Sequence, residues 1–316
     1  MILPATTCWS CLGELPPEAA GNRYHPACAE ALFGVPTVPR VAFGRLDITN
    51  WADEHAGRLS ISGYQLKGPA ALDDTGHILS LVERDGTHIV KPPQPAYPHI
   101  VENEHLTMCL GRVVGLEVAE HGLIELSDGA EAYLTRRFDR LAGGAGPRVH
   151  VIDFCQLAGV DPADKEASTT EKCAEMVRQY ARPEAALALF QLFVFAYWVR
   201  NGDLHLKNLM LRELPDGGYT LAPAYDLLCT ELYGQKGMIL PVGGERVNIS
   251  RKLWLDFAER ACGLDPARAA EIIDAMIAKQ PEARAMIDRS ALPTPESKRK
   301  YSHWLAKRSR NLAGLV

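Results

Sequence analysis

The chain has 316 residues, 47% apolar and 23% charged, with a net charge of −5. That length suits one large domain or two lobes with a substantial core, and the mild negative charge excludes a global polycation built for nucleic acid. Met1-Ile2-Leu3-Pro4 lacks the basic start and long apolar run of a signal peptide. The longest apolar stretch, residues 185–199 with Gln191 inside it, is too short and mixed to span a bilayer and reads as a buried helix. Eight cysteines without a secretory signal read as reduced thiols or metal ligands, and a cytoplasmic location is expected.

Residues 1–40 are set apart by cysteines, prolines and small residues. Cys8-x-x-Cys11 is followed by His25-x-x-Cys28. Two pairs with two-residue gaps, joined by a short loop, can close a tetrahedral structural Zn²⁺ site through three thiolates and one imidazole. Four reduced residues in a mobile leader are the alternative. Cys109, Cys155, Cys173, Cys229 and Cys262 are scattered and read as buried thiols.

Residues 57–91 read as strands: Leu59-Ser60-Ile61-Ser62 alternates and ends in Gly63, and residues 78–82 and 87–90 flank the turn signal Asp85-Gly86. The Ser60–Gly68 segment is a small-residue turn carrying Lys67. Its backbone N–H groups can form an anion nest, although a plain turn with a surface lysine explains it as well. Lys91 ends the next strand, and Glu104 lies on a predicted helix over 100–111. A strand lysine on phosphates, held by a helix glutamate, is a kinase arrangement; an exposed strand end and a solvated helix face are the alternative. Residues 131–138 read as another strand, and residues 141–147 as a flexible Gly-rich break.

After about Val149 helix patterns dominate, at 184–199, 252–262, 266–278 and 295–313. Sheet first and helices later predicts an α+β protein of two lobes, divided as a Cys/His segment (1–40), an N-lobe (41–138) and a helical C-lobe (139–316), with a cleft as the natural ligand site. Asn201-Gly202-Asp203-Leu204-His205-Leu206-Lys207-Asn208 puts an aspartate five residues before an asparagine, and Asp226 follows in Ala224-Tyr225-Asp226. Asp203 can accept the proton of an attacking hydroxyl, while Asn208 and Asp226 can hold the Mg²⁺ that bridges ATP phosphates. His205 reads as a loop-bracing or packed histidine, and Lys207 as a phosphate neutraliser or a solvated lysine. The basic run Lys298-Arg299-Lys300 with Lys307, Arg308 and Arg310 reads as a solvated helix face, with nucleic-acid contact as the other option.

Six pieces, in this order, resemble the HipA family of bacterial toxin Ser/Thr kinases: residues 60–67, His88-Ile-Val-Lys91, Glu102-Asn-Glu-His105, Arg137-Phe-Asp-Arg140, residues 201–208 and residues 221–226. The Ser60-x-Ser62-Gly63 pattern in a short chain looks like the HipT branch. The resemblance implies a two-lobed protein-kinase-like fold with ATP and Mg²⁺ as cofactors. Lys67 and Lys91 would hold phosphates, Glu104 would orient Lys91, and Gly63 would belong to the Gly-rich loop. Arg136, Arg137 and Phe138 would form a hinge whose backbone reads adenine, and Ser60 and Ser62 would be autophosphorylated. Phosphate on either serine would compete with or repel the nucleotide and lower activity. The resemblance further implies a protein substrate, often an aminoacyl-tRNA synthetase in this family, and a HipB-like DNA-binding antitoxin. The short Cys-rich start adds a small HipS-like protein to the expected partners. The competing readings are a non-catalytic kinase-like module that sequesters an antitoxin or regulates transcription, and a small-molecule kinase.

Overall fold

The computed structural model describes residues 3–55, 66–140 and 148–315. The strand expected at residues 59–62, with Ser60, Ser62 and Gly63, lies outside the described residues, as does the break at 141–147. The chain divides into two compact units: Met1–Cys109 with Ala119–Arg148 and Arg289–Pro293, and Leu110–Val118 with Val149–Asp288 and Thr294–Val316.

Among the described residues, the first unit is built on a six-stranded sheet. Its elements are α1 (Pro26–Phe33), β1 (Arg40–Val41), α2 (Arg45–Glu54), β2 (Gly68–Leu72), β3 (Ile78–Leu81), β4 (His88–Lys91), α3 (Ile100–Val113) up to Cys109, β5 (His121–Glu125) and β6 (Glu131–Arg136). Spatial order is β1-β3-β2-β4-β6-β5, antiparallel except for the β1–β3 pair. The β-branched run of β4 suits its central place. The turn before β4 bends through Asp85, whose φ of 57° is one that Asp tolerates better than most residues. Alternation along β4 puts His88 and Val90 on one face and Lys91 on the other. Lys91 pairs with Tyr133 of β6, and Tyr133 with Leu123 of β5. The expected strand over 131–138 stops at Arg136.

The second unit contains β7 (Val151–Asp153), α4 (Phe154–Ala158), α5 (Thr170–Tyr180), α6 (Glu184–Val199), β8 (Met210–Glu213), β9 (Tyr219–Leu221), α7 (Arg251–Phe257), α8 (Pro266–Ala278), α9 (Gln280–Arg289) and α10 (Pro295–Leu312). Helix α6 is apolar on all sides and is the core, with Phe190, Phe193, Phe195 and Trp198 fully buried. Helix α7 runs into a π turn at Ala258–Cys262 and stops at Gly263, whose φ is +69°. Three short antiparallel strands in the order β7-β8-β9 form a sheet that the helix patterns did not announce.

The basic C-terminal run needs a correction. Arg308 is buried, donates to Tyr197 Oη at 2.6 Å and to the Val247 carbonyl, and lies 4.0 Å above the Tyr197 ring. It locks α10 to α6 together with Trp198 Nε1, which donates to Ser309 Oγ at 2.8 Å. Helical periodicity turns position 308 inward while Arg299 and Lys300 stay exposed. No helix among the described residues is long and apolar enough to cross a membrane.

Candidate active site

In the first unit the predicted lysine and glutamate meet. Lys91 Nζ donates to Glu104 Oε1 at 2.6 Å, with side-chain exposures of 4% and 1%. The pair lies on the sheet face that also carries Tyr133, whose ring centroid is 5.4 Å from Lys91 Nζ. Glu102, two residues earlier, turns elsewhere and reaches His99 at 3.6 Å, as the helical rotation requires. Lys67 stands one residue before Gly68, which pairs with Val90, so the register brings the two lysines to adjoining strand ends.

The stretch after β6 is tied down by arginines. Arg136 donates to the Ala31 carbonyl at 2.9 Å. The Arg137 backbone N–H donates to Thr87 O at 2.8 Å, and its guanidinium grips Asp139 through two bonds of 2.9 and 2.7 Å. Burial alone would raise the Asp139 carboxyl. The Arg137 hydrogen bonds and the Arg137 and Arg140 charges reverse that and hold it below the usual carboxylate range. Phe138 follows in this pinned segment.

In the second unit the loop after α6 carries the acid and amide. Arg200 caps α6 with φ 58° and pairs with Glu231. The Asn201 side chain accepts from the Asp203 N–H at 3.0 Å, and Asn208 Nδ2 donates back to the Asp203 carbonyl at 3.0 Å. Asp203 is thus held from both sides by loop amides. Since Nδ2 is the donor, Oδ1 is the Asn208 atom suited to a cation. Thr230 Oγ1 accepts from the Gly202 N–H at 2.9 Å, and Gln235 Nε2 donates to Gly202 O at 2.9 Å. A Cβ on Gly202 would lie 2.5 Å from the Gly237 carbonyl oxygen, so no larger residue fits this position.

Asp226 sits at φ 54°, a left-handed conformation sparsely used outside functional loops. Its neighbour Tyr225 is half-buried and donates to the Lys207 carbonyl at 2.7 Å; desolvation first, and the Asp226 charge second, push the Tyr225 phenol well up. Lys207 lies 3.6 Å from Asp153, which also caps α4, so it is neither solvated nor uncommitted. His205 is buried, and burial, aided by the Lys165 charge, lowers it to about 4. It is therefore neutral near pH 7, which fits a packed loop residue rather than a charge carrier.

Two oxygen donors of the Asn208 and Asp226 type, one neutral and one anionic, suit a hard octahedral cation that keeps some of its waters. Thr230, Gln235, Glu231 and Asp153 were not found from sequence. Each is an ordinary polar residue far along the chain from the loop it braces, and no local pattern marks it.

A mostly strand unit with a buried Lys–Glu pair, and a helical unit with an Asp–Asn loop, define a kinase-like α+β protein. The profile of the HipA-like C-terminal domain matches residues 59–284, and the chain belongs to that family. A Sinorhizobium fredii protein, Y4mE, whose name proposes a kinase, is 34% identical over 263 residues, covering 79% of this chain and 59% of its own length. The serine/threonine-protein kinase toxin HipA of Shewanella oneidensis is 28% identical over 195 residues, covering 56% of this chain and 44% of that protein. The chain thus spans roughly half the length of these relatives.

Among solved structures, Shewanella oneidensis HipA in complex with HipB and operator DNA aligns with TM-score 0.67 at 23% identity, over 81% of this chain and 65% of that one. The Helicobacter pylori proinflammatory kinase CtkA aligns with TM-score 0.55 at 13% identity, over 78% and 91%. At these identities the likeness establishes the fold.

Proposed function

We propose that this protein is an ATP- and Mg²⁺-dependent serine/threonine protein kinase and the toxin of a toxin–antitoxin pair. The observation that carries the reading is the Lys91–Glu104 ion pair, buried at 2.6 Å. Such a pair is a poor stabiliser compared with apolar packing, so its presence is best explained by work done on a ligand. Lys91 would place its charge on nucleotide phosphates, with Glu104 fixing the direction of Nζ. Lys67 would add a second positive charge, and the backbone at Arg136, Arg137 and Phe138 would read the adenine edge.

Asp203 would accept the proton of the attacking seryl or threonyl hydroxyl as the new P–O bond forms. Its backbone bonds to Asn201 and Asn208 keep it oriented before substrate arrives. Asn208 and Asp226 would hold the metal, which when bound neutralises charge on the transferred phosphoryl group. Neutral His205 would brace the loop without adding charge.

We further propose Ser60 and Ser62 as autophosphorylation sites, a HipB-like protein as antitoxin and an aminoacyl-tRNA synthetase as the first substrate to assay. A small HipS-like protein is a further proposed partner. The test is intact and peptide mass spectrometry of wild type and Asp203→Asn after incubation with Mg-ATP. Phosphate on Ser60 or Ser62 in wild type alone supports the kinase. No phosphate in either, with no nucleotide binding, returns the protein to a non-catalytic binding module.

A further inference from the structure

The four residues Cys8, Cys11, His25 and Cys28 converge in the first unit, with one donor atom from each within 4.8 Å of the others. Tetrahedral Zn²⁺ with Zn–S near 2.3 Å and Zn–N near 2.05 Å requires S···N separations of about 3.6 Å and S···S of about 3.8 Å. His25 Nδ1 is 3.5 Å from Cys11 Sγ and 3.8 Å from Cys28 Sγ.

The backbone around them is shaped for the same purpose. Residues 7–14 close a tight turn: Cys8 N–H donates to Gly13 O, Leu12 N–H to Cys8 O, and Gly13 N–H to Cys11 Sγ at 3.4 Å. Leu12 takes φ 58° to make that turn. Cys28 comes from the first turn of α1, and His25 caps that helix. His25 Nε2 donates to the Glu14 carbonyl at 2.9 Å, which fixes the tautomer that leaves Nδ1 as a ligand.

The knuckle is wired to the elements that hold the lysine–glutamate pair. Ser10, between the first two cysteines, offers its carbonyl to His105 Nε2 at 3.2 Å and Cys109 Sγ at 3.1 Å. Both lie on α3, and His105 is next to Glu104. Trp9 O accepts from the Leu123 N–H at 2.9 Å, and Tyr24 Oη donates to Leu123 O at 2.5 Å, on β5. The end of α1 receives His88 Nε2 from β4 on Leu32 O at 2.8 Å. The same helix end takes Arg136 of β6 on Ala31 O. A segment too small for a core of its own is thereby seated on β4, β5, β6 and α3.

We propose that Cys8, Cys11, Cys28 and His25 bind one Zn²⁺, and that the loaded knuckle fixes α3 and so the position of Glu104 against Lys91. Each thiol releases its proton to solvent as its Zn–S bond forms. The knuckle residues act as positioning residues for the pair, not as catalytic groups. A second donor cluster, His105, Cys109 and His121, is fully buried nearby. Two of its members already donate to Ser10 O, and the third, His121, bonds Ala119 O at 2.8 Å. It is better read as the polar contact between knuckle and helix.

The full-length protein, purified without added metal, is assayed for zinc by mass spectrometry and then exchanged with Co²⁺. About one zinc per chain, with sulfur-to-cobalt charge-transfer bands and tetrahedral d–d bands, is expected. Cys11→Ser and Cys28→Ser should each lose the metal, and Cys109→Ser should keep it. Absence of zinc, or loss in Cys109→Ser with retention in Cys11→Ser, overturns the site. Hydrogen exchange on zinc-loaded and chelator-stripped wild type tests the second half. Loss of amide protection on residues 100–109 as well as 8–28 is expected; loss confined to 8–28 overturns the coupling. No readout depends on phosphotransfer, so failure here is separable from failure of the kinase reading.

Discussion

Replacing the buried pair tests the claim that it serves ligand rather than stability. At 2.6 Å and an effective dielectric of 20, the Lys91–Glu104 attraction is about 6 kcal/mol. Removing both ions from water costs several kcal/mol each, so the net contribution of the pair is near zero. Lys91→Met alone leaves the Glu104 carboxylate buried without its cation, and Glu104→Leu alone leaves a buried ammonium. Each single variant should lose about 3–5 kcal/mol. The double variant Lys91→Met/Glu104→Leu should return to within about 1 kcal/mol of wild type, measured by urea unfolding. All three should lose phosphotransfer by about 10²-fold or more, as when a preorganised charge contact is removed. A double variant as unstable as the two singles combined, or one that keeps wild-type nucleotide binding, refutes the reasoning.

Gly202→Ala should lose at least about 1–3 kcal/mol and most phosphotransfer, because its Cβ would meet the Gly237 carbonyl at 2.5 Å and Thr230 Oγ1 at 2.8 Å; an active, equally stable variant would remove the tight loop from the argument. Acid should destabilise the fold through two buried histidines. His88 and His205 are each lowered to about 4, mainly by burial, from 6.5 when unfolded. The unfolded chain therefore binds more protons between those values, and stability is lost as pH falls from 6.5 toward 4. At pH 5 each histidine costs about 2 kcal/mol, so His88→Gln should flatten the pH dependence of the melting temperature in this window, and an unchanged slope would count against it.

Some of the fold was legible along the chain. Helices α6 and α8 fall where their apolar patterns put them, because a long periodic segment decides its own structure. Strands β3 and β4 follow from short apolar runs on either side of Asp85-Gly86. The three-residue strands β7 and β9 carry no such pattern; they are strands because β8 lies between them. Arg308 looked solvated from composition and is buried, since only packing decides which face of α10 meets α6.

The candidate chemistry divides in the same way. Asp203 and Asn208 are five residues apart, and the loop bonds that join them are local, so sequence alone was enough to pair them. The Cys/His spacing likewise singled out four residues whose donor atoms converge in the fold. Sequence also ordered Lys91 before Glu104, but their meeting at 2.6 Å is a tertiary contact between β4 and α3. Thr230 reaches Gly202 across 28 positions, and Ser10 reaches Cys109 across 99. Local chemistry writes itself into neighbouring residues. Bracing depends on backbone carbonyls and ordinary side chains that any segment possesses, and only the folded chain selects which of them meet.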